Sequence, residues 1–583
     1  MLQDWSRALI FKLQSSRRAA CGFIPPAALH FWAGSPRNFS GTDAKHGASS
    51  LPHFLFLIVK PYYITTAIDY TNAPPHIGHA YEKVLADVMA RFQRQNGREV
   101  YFLTGVDQHG QKVQKSAEKA GQTPQEFVDG VTAHFTALWD KLNVRFDGWA
   151  ATTDDKHKRV VQAMLQKLHD AGQLYKKSYS GHYSVRQEQF LTDKERGPDD
   201  QFGPEWGEVE WREEDAWYFK LSEHTEWLKT FIRSHPDFIF PPHRANDVLN
   251  ALEGSGGGID LCISRPKDRL SWGIPLPFDP DSVNFVWFDA LSNYISFAGY
   301  LAEEVGNEGL PQFSKIWPAD AEIIGKDILM PAHAVYWPIM LHALGFTDAE
   351  MPKLVVHGWW NVKGAKMSKS LGNVIDPNVL SDTFTPDGLR YYLMRDIATG
   401  YDADFSDERI IMSYNKELAG GLGNLLNRSI NMAQKYRSGV LTPGDYDDEI
   451  NQALRQTVAE ALPAYLEKMN GWDIHEGIAA AWRIVTHANA FVDSTKPFSL
   501  AKDPAQAARL DSVLYHLAEA LTHVSVLLNP IMPTAMVTAR AQIGWELPQG
   551  FKISDLKWGL LPSGHQLGAP VPLFPRLEIA EEK

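Results

Sequence analysis

From Tyr62 onward, the spacing of apolar and polar residues changes from that of a strand to that of a helix. The run from Tyr62 to Ile68 is rich in strand-forming residues, and the polar turn 69–75 follows it. Apolar residues then recur at the spacing of one helix face, and Gly97 supplies a stop; they are Ile77, Ala80, Tyr81, Val84, Leu85, Val88, Met89 and Phe92. This pattern predicts one amphipathic helix of about twenty residues.

A second buried strand is predicted at residues 100–106, and the polar loop 107–110 follows it. A strand, a helix and a second strand in this order indicate a parallel sheet, so the predicted fold class is α/β with a Rossmann-type parallel sheet. Ligands of such sheets bind at the carboxyl ends of the strands. We therefore expect the loops 69–76 and 107–110 to converge on one crevice.

The alternation of strands and helices stops near residue 176 and resumes after residue 280. The stretch between them has short aromatic-rich runs, prolines and glycines, which indicates an inserted subdomain. Apolar runs at 285–288, 322–325 and 354–357 predict further strands, and a helical period dominates beyond Asp407. The predicted divisions are a leader (1–59), a first α/β half (60–175), an inserted connective subdomain (176–280), a second α/β half (281–406) and a helical bundle (407–583).

Composition excludes several classes of protein. With 44% hydrophobic and 11% aromatic residues against 22% charged residues, the chain is globular rather than disordered. No apolar stretch approaches the ~18 residues that a membrane span needs, so no membrane partner is expected. The formal charge of −13 opposes bulk binding to nucleic acid, so any RNA contact must use local patches. Two cysteines, Cys21 and Cys262, cannot form a disulfide framework or a four-thiolate zinc site, which favours a reducing compartment.

The first 59 residues differ from the rest. They contain six basic residues, seven serines and only two acidic residues, Asp4 and Asp43. This bias is typical of an organellar transit peptide, and we expect import into the mitochondrial matrix. A disordered terminus or an incorrectly assigned start of the chain is the alternative.

Two motifs carry the candidate chemistry. His76, Gly78 and His79 lie at the predicted start of the helix, where backbone N–H groups and the helix dipole attract anions. Gly78 would let a flat base approach the backbone, and the imidazoles would donate to phosphate oxygens, which suits a nucleotide triphosphate. By itself this motif also allows both histidines to be ordinary helix-start residues.

The second motif lies in residues 363–373, where lysines stand between glycines. On a mobile loop after a strand, Lys366 and Lys369 would close over a pyrophosphate and neutralise the charge on the leaving group. An isolated lysine-rich run is more often a solvated loop. The two motifs together, HIGH at 76–79 and KMSKS at 366–370, resemble the paired signatures of class I aminoacyl-tRNA synthetases.

Flanking residues refine this resemblance. The runs at 67–74, 106–110, 287–290, 325–328 and 357–359 are similar to those of the methionyl-tRNA synthetase family of bacterial and organellar type. The resemblance covers the chain from about residue 61 to its end. It implies an ATP- and Mg²⁺-dependent ligase that activates L-methionine and transfers it to tRNA(Met).

The resemblance also implies site residues. His76, His79, Lys366 and Lys369 would be catalytic, and Gly78 and Asp327 would complete the ATP site, with Asp327 at the ribose. Asp107 would hold the substrate ammonium. The implied methionine-binding residues are Ile68, Tyr70, Asp107, Trp287, Ala290, Tyr294, Ile328 and His333. Aromatic faces suit a polarizable thioether. Without this resemblance, Trp287 and Tyr294 would be read as ordinary core residues.

In the helical region, Asn424 and Arg428 resemble the family's anticodon-reading helix, and Phe498 stands where the family commonly has tryptophan. Two departures stand out. The inserted subdomain lacks the cysteines of the family's zinc knuckle, so no structural zinc is expected. The run Leu329–His333 is one residue longer than is usual and lacks a Phe-His pair, and Pro331 is expected to disturb the helix there.

Other functions remain as alternatives. A catalytically idle RNA-binding or splicing cofactor on a synthetase scaffold is the main one, and the intact motifs argue against it. Cysteine-specific relatives need zinc ligands that this chain lacks, and branched-chain synthetases carry a much longer insertion. Because no further C-terminal module follows Arg576, we expect a monomer.

Overall fold

The computed structural model describes residues 60–185, 189–197, 199–254, 260–367 and 372–577. The first part of the chain alternates strands and helices, as the apolar spacing predicts. Its strands are β1 (Tyr62–Thr66), β2 (Asp69–Tyr70), β3 (Val100–Asp107) and β4 (Gly148–Ala151). Its helices are α1 (Ile77–Gln95), α2 (Gln111–Ala120), α3 (Pro124–Lys141) and α4 (Asp155–Asp170). Helix α1 has 19 residues and ends before Gly97, which adopts a φ of 81°.

The next part contains two small antiparallel sheets. Its strands are β5 (Leu174–Ser184), β6 (Gln189–Leu191), β7 (Val209–Phe219), β8 (Ile239–Phe240), β9 (Leu261–Cys262), β10 (Ser264–Pro266), β11 (Pro275–Leu276) and β12 (Asp279–Asn284). Its helices are α5 (Thr225–Ser234) and α6 (His243–Gly254). One sheet has the order β6-β5-β7-β9 and the other β10-β12-β11, whereas β8 joins the central sheet. The predicted insertion at 176–280 therefore contains one strand of the catalytic sheet.

The α/β pattern then resumes. Its strands are β13 (Ala321–Gly325), β14 (Leu354–His357), β15 (Trp360–Val362), β16 (Ala365–Lys366) and β17 (Ala403–Phe405). Its helices are α7 (Val286–Ser296), α8 (Phe313–Ile316), α9 (Trp337–Ala343), α10 (Pro377–Phe384) and α11 (Pro386–Arg395). A wide-turned helical segment, Leu329–Tyr336, precedes α9, and Met330 within it has non-helical φ and ψ. The predicted disturbance of the helix at Pro331 is thus confirmed.

The strand predicted at 285–288 is wrong, because residues from Val286 onward form α7. A four-residue apolar run fits a strand and a buried helix equally well. Phe288, Leu291 and Ile295 are all buried on α7, which is the spacing of a helix face. The burial pattern over residues 288–295, which is longer than the four-residue run, identifies this stretch as a helix.

The last part of the chain is helical. Its helices are α12 (Asp407–Met412), a wide-turned segment (Ser413–Gly423), α13 (Asn424–Arg437), α14 (Glu449–Asn470), α15 (Ile474–Thr495), α16 (Pro497–Leu500), α17 (Ala507–Leu527) and α18 (Pro533–Ile543). The extended tail returns to this bundle through the strand pair β18 (Val440–Leu441) and β19 (His565–Gln566). In the described part of the chain, no helix has both the length and the apolar character needed to cross a membrane.

The central sheet is parallel and has the order β2-β3-β1-β13-β14-β8, with β4 beside β3. Alternate side chains of β1 enter different apolar cores. Tyr62 and Ile64 pack with α1 and the helical bundle, whereas Tyr63 packs with α7 and α9. In this order, β3 lies on one side of β1 and β13 lies on the other side. The crevice of this doubly wound sheet therefore lies at the carboxyl ends of β1 and β13.

Candidate active site

The HIGH motif closes the start of α1 by its own side chains. His76 is the N-cap residue, and its Nδ1 accepts a hydrogen bond from Gly78 N at 3.1 Å. The backbone N–H of His76 donates to Nδ1 of His79 at 3.1 Å. The two rings lie 3.9 Å apart between centroids. This reciprocal arrangement is a capping box built from imidazoles.

The hydrogen bonds of this cap determine which ring nitrogen of His76 and of His79 carries the proton. Because Nδ1 accepts a hydrogen bond in both rings, the proton of each neutral ring is on Nε2. Burial, assisted by the charges of His76, Lys83 and His357, holds the pKa of His79 well below its usual value. His79 is therefore neutral with an Nε2–H donor, which is the chemistry that phosphate oxygens accept.

One expectation about this motif needs correction. Free amides were expected at the helix start, but Ile77 N donates to Ile375 O at 3.1 Å and Gly78 N donates to His76. The approach of a base to Gly78 stays a prediction, and a Cβ at this position would lie 2.9 Å from Cε1 of His76. The glycine thus makes room for the imidazole cap, which uses the space that a side chain would fill.

The hydrogen bond from Ile77 to Ile375 joins the start of α1 to the segment that follows the second motif. Ile375 follows the KMSKS run, so the described end of that segment touches the start of α1. Lys366 lies on β16 and its Nζ donates to Asp327 Oδ2 at 3.4 Å. Although burial opposes it, the Lys366 charge lowers the pKa of Asp327. Lys369 lies outside the described residues.

Two ammonium groups lie close to the indole of Trp359. Lys326 Nζ and Lys366 Nζ are each 3.9 Å from the centroid of the ring. Lys326 also donates to Asp402 Oδ2 at 2.6 Å, and Asp402 Oδ1 accepts from Trp359 N at 2.9 Å. Cation–π contacts and these hydrogen bonds hold the lysine hairpin against the loop that carries Asp327.

Asp107 ends β3 at the carboxyl edge of the sheet. Tyr70 of β2 is its direct partner across the strand pair, and Thr71 bonds to the Asp107 carbonyl through both N–H and Oγ1. The Asp107 carboxylate accepts from Thr152 Oγ1 at 3.4 Å. The side chains predicted to hold the ammonium and the thioether are therefore neighbours.

The other predicted methionine-binding residues come from two later elements. Tyr294, on α7, donates from its hydroxyl to Nε2 of His333 at 2.7 Å, and Nδ1 of His333 lies 2.8 Å from the carbonyl of Ile328. Burial lowers the pKa of His333 to about 4, so the ring is neutral and carries its proton on Nδ1. Ile68 and Ile328 pack against the apolar core that contains Tyr294. Trp287 and Ala290 are half-buried on the same helix.

A buried histidine–aspartate–histidine group was missed by the sequence analysis. Asp289 lies between Trp287 and Ala290, with Oδ2 2.6 Å from His109 Nδ1 and Oδ1 2.8 Å from His157 Nε2. Burial raises the pKa of Asp289, but the two histidines outweigh it and set the value at about 2. This carboxylate joins α7 to the loop after Asp107. The only indication of this group in the sequence was the polar run Asp107-Gln108-His109, which contains one of its two histidines.

The three predicted anticodon residues lie in the helical bundle. Asn424 begins α13 and is exposed, and Arg428 follows it by one turn. Arg428 Nη2 lies 3.6 Å from Asp493 Oδ1, near the end of α15. Phe498 lies on α16, just after that end, and is 47% exposed. The guanidinium of Arg428 on α13 and the aromatic face of Phe498 on α16 are thus both placed near the end of α15.

Among the described residues, no group of three or more His, Cys, Asp or Glu side chains could hold a metal ion. Part of the inserted subdomain, 186–188, lies outside them. The absence of structural zinc therefore stays a prediction that rests on the lack of cysteines.

Comparison with known proteins agrees with this geometry. The family model for class I tRNA synthetases (M) matches residues 62–199 and 206–430. Methionine–tRNA ligase from Clostridium perfringens is 41% identical over 526 residues, which cover 90% of this chain and 79% of the relative. The ligase from Deinococcus radiodurans is 41% identical over 530 residues, covering 89% of this chain and 75% of the relative.

Solved structures agree as well. Mycobacterium tuberculosis methionyl-tRNA synthetase in complex with methionyl-adenylate has a TM-score of 0.81 and 35% identity, covering 89% of this chain and 100% of that chain. The apo form of that enzyme has a TM-score of 0.76 and 33% identity. The predicted family and fold class are confirmed: this chain belongs to the methionine branch of the class I tRNA synthetases.

Proposed function

We propose that this protein is a methionine–tRNA ligase that works in mitochondrial translation. Its substrates are L-methionine, ATP as the Mg²⁺ complex, and tRNA(Met). The methionine carboxylate attacks the α-phosphorus, which forms a carboxyl–phosphate bond and breaks the bond to pyrophosphate. The terminal ribose hydroxyl of the tRNA then attacks the methionyl carbonyl and releases AMP. Such displacements depend mainly on positioning and on stabilisation of charge.

The observation that carries this proposal is the contact between the start of α1 and the segment that follows the lysine motif. The hydrogen bond from Ile77 N to Ile375 O joins these two parts of the chain. A triphosphate bound at this place would face His76 and His79 on one side and Lys366 on the other, and the family resemblance implies a further contact from Lys369. This position also lies at the crevice between β1 and β13.

The binding residues take separate roles in the proposal. The imidazole Nε2–H groups of His76 and His79 donate to phosphate oxygens, and Asp327 accepts from the ribose. Asp107 pairs with the α-ammonium at the edge of the sheet. Tyr70, Trp287 and Tyr294, with Ile68, Ala290, Ile328 and His333, surround the thioether.

Amino-acid-dependent exchange of labelled pyrophosphate into ATP tests the proposal. With all twenty amino acids assayed singly, methionine alone should support exchange. Subsequent charging should require tRNA(Met). No exchange with any amino acid would overturn the ligase and favour a catalytically idle RNA-binding scaffold, and exchange with another amino acid would overturn the choice of methionine.

The mitochondrial location rests on the acid-poor, basic and serine-containing segment 1–59. A fluorescent reporter fused to residues 1–59 should enter mitochondria. A matched fusion with Arg7, Arg17 and Arg18 changed to glutamine should not. A diffuse wild-type reporter would overturn this part of the proposal and leave the ligase activity unaffected.

The protein is further proposed to act as a monomer. Residues Lys60–Lys583 form one compact unit that carries both the adenylation residues and the anticodon residues. Light scattering behind size-exclusion chromatography should give one chain mass, near the 65.5 kDa of the full sequence or lower after leader removal. Twice that mass would contradict the expectation.

A further inference from the structure

Lys83 is a buried lysine beneath the nucleotide site. It lies on α1 one turn after His79, and none of its side chain is exposed. Its ammonium donates to Ala67 O at 2.9 Å, Asp69 Oδ1 at 2.9 Å and Glu82 Oε1 at 2.6 Å. All three ammonium hydrogens therefore have acceptors, and two of those acceptors belong to the methionine segment rather than to α1.

Asp69 lies between Ile68 and Tyr70, two of the predicted methionine-binding residues. Burial raises the pKa of Asp69 to about 7, although the Lys83 charge works against this. Its second oxygen, Oδ2, is buried without a hydrogen-bond partner. A carboxylate in such a place is costly unless a cation stays beside it, so the segment 67–70 depends on Lys83.

Glu82 extends the contacts to the other side of the crevice. Its Oε2 lies 3.0 Å from Nε2 of His357, the last residue of β14, and Nδ1 of that ring lies 2.8 Å from Gly358 O. The ring of His357 thus connects Glu82 of α1 to the backbone at the end of β14. The backbone carbonyl of His357 also accepts from Lys326 N at 3.0 Å, in the loop that carries Asp327.

We propose that Asp69, Glu82, Lys83 and His357 form a buried charge cluster that positions the adenylation site, with Lys83 as its central positioning residue. The inference rests on the proposed function and deepens it. The cluster holds three parts in one arrangement: the methionine segment 67–70, the start of α1, and the end of β14 with the loop 325–328.

The hydrogen bonds within the cluster explain why it works as a unit. The Lys83 ammonium contacts the carboxyl groups of both Asp69 and Glu82, and Glu82 in turn contacts the ring of His357. The Lys83 and His357 charges help to lower the pKa of His79, whereas Glu82 acts on His333 in the opposite direction. Its electrostatic effect thus reaches a predicted ATP-binding residue and a predicted methionine-binding residue.

Lys83→Met tests the proposal, because it keeps the length of the side chain but removes the charge. We expect methionine-dependent exchange to lose about a hundredfold in kcat, the order expected for a misplacement of ~1 Å. The KM for methionine should rise more than the KM for ATP, because two of the three acceptors of Lys83 belong to the methionine segment 67–70. Calorimetry of methionine binding without ATP should show the same weakening.

Charge rescue provides the decisive control. Asp69→Asn combined with Lys83→Met removes both members of the Lys83–Asp69 ion pair and should recover most of the lost kcat. Asp69→Asn alone leaves the Lys83 ammonium in place, so it tests the proposal if Lys83→Met does not fold. This variant should have a raised KM for methionine and an unchanged KM for ATP.

Wild-type kinetics in Lys83→Met would overturn the proposal. Equal changes in both KM values would also overturn it, as would a double variant no better than the single one. Absence of exchange in the wild-type protein would instead overturn the proposed function, so the two failures are distinguishable.

Discussion

For two histidines of the cleft, hydrogen bonds from neighbouring groups determine which ring nitrogen carries the proton. His79 accepts on Nδ1 from a backbone amide, whereas His333 accepts on Nε2 from Tyr294. The two rings therefore hold opposite tautomers. The tautomer of His79 leaves the Nε2–H donor for the proposed phosphate contact, whereas the Nδ1–H donor of His333 is used by the carbonyl of Ile328.

His333 should make stability depend on pH below neutrality. Its pKa is about 4 in the folded chain, against 6.5 in the unfolded chain, so between these values the unfolded state binds more protons. Stability from the neutral ring is therefore present above pH 6.5 and is lost as the pH falls. From pH 7 to pH 5 the free energy of unfolding should fall by about 2 kcal/mol on this account.

Urea unfolding of wild type and His333→Asn at pH 7 and pH 5 measures this effect. The difference between their free energies of unfolding should shrink by about 2 kcal/mol at the lower pH. His134→Asn changes an exposed histidine and should show no such convergence. A difference for His333→Asn that stays constant with pH would contradict the assignment.

Individual site residues were predictable only where the motif named them. His76, His79 and Lys366 could be found because they stand in short signatures. Glu82 and His357 are 275 positions apart, and His109 and Asp289 are 180 positions apart, so nothing local links them. Such pairs can be identified only in the folded structure, where the elements that carry them lie side by side.

Whole helices and strands were predicted best where the apolar spacing was long. Helix α1 has eight regularly spaced apolar residues and was predicted nearly to its last residue. The four-residue run at 285–288 was assigned wrongly because its length fits either element. The edge strand β8 has only two residues and no pattern of its own, so the sequence could not place it in the central sheet.

The hairpin of β15 and β16 should control the use of ATP through Lys366. Its ammonium contacts Asp327 and the face of Trp359, so it stands beside the proposed nucleotide site. Lys366→Met should lower kcat/KM for ATP by about a hundredfold, as expected for the loss of one charged donor to a transition state. Pyrophosphate exchange at varied ATP concentration measures this.

Lys363→Met is the matched control, because Lys363 is exposed at the turn of the same hairpin. It should leave kcat/KM for ATP within about twofold of wild type. Equal losses in both variants would show that the hairpin responds to any change of charge, which would remove the specific role of Lys366.

Taken as one object, the protein separates adenylation from RNA reading. The predicted ATP and methionine residues surround the central sheet, whereas Asn424, Arg428 and Phe498 lie on α13 and α16 of the bundle. One apolar core runs from α1 into that bundle, so the two regions share packing. The family resemblance predicted the residues of both regions. The residues themselves indicated a chemical role only in the half that contains the two motifs.

Arg428→Ala should therefore affect charging without affecting adenylation. Loss of a guanidinium that meets unstacked bases should raise the KM for tRNA(Met) by about tenfold, while methionine-dependent exchange stays at the wild-type rate. Lys435→Ala removes a charge from an exposed position on the same helix and is the control. A loss of exchange in Arg428→Ala, or an equal effect of Lys435→Ala, would contradict this role.

Because Lys326 and Lys366 both contact the indole of Trp359, the fluorescence of this tryptophan can report on the hairpin. Nearby ammonium groups perturb tryptophan emission, so withdrawal of Lys366 towards a triphosphate would change the fluorescence of Trp359 at the moment of closure. Subtracting the signal of Trp359→Phe isolates it from the other tryptophans. Stopped-flow mixing with ATP would then time the loop in the unlabelled enzyme.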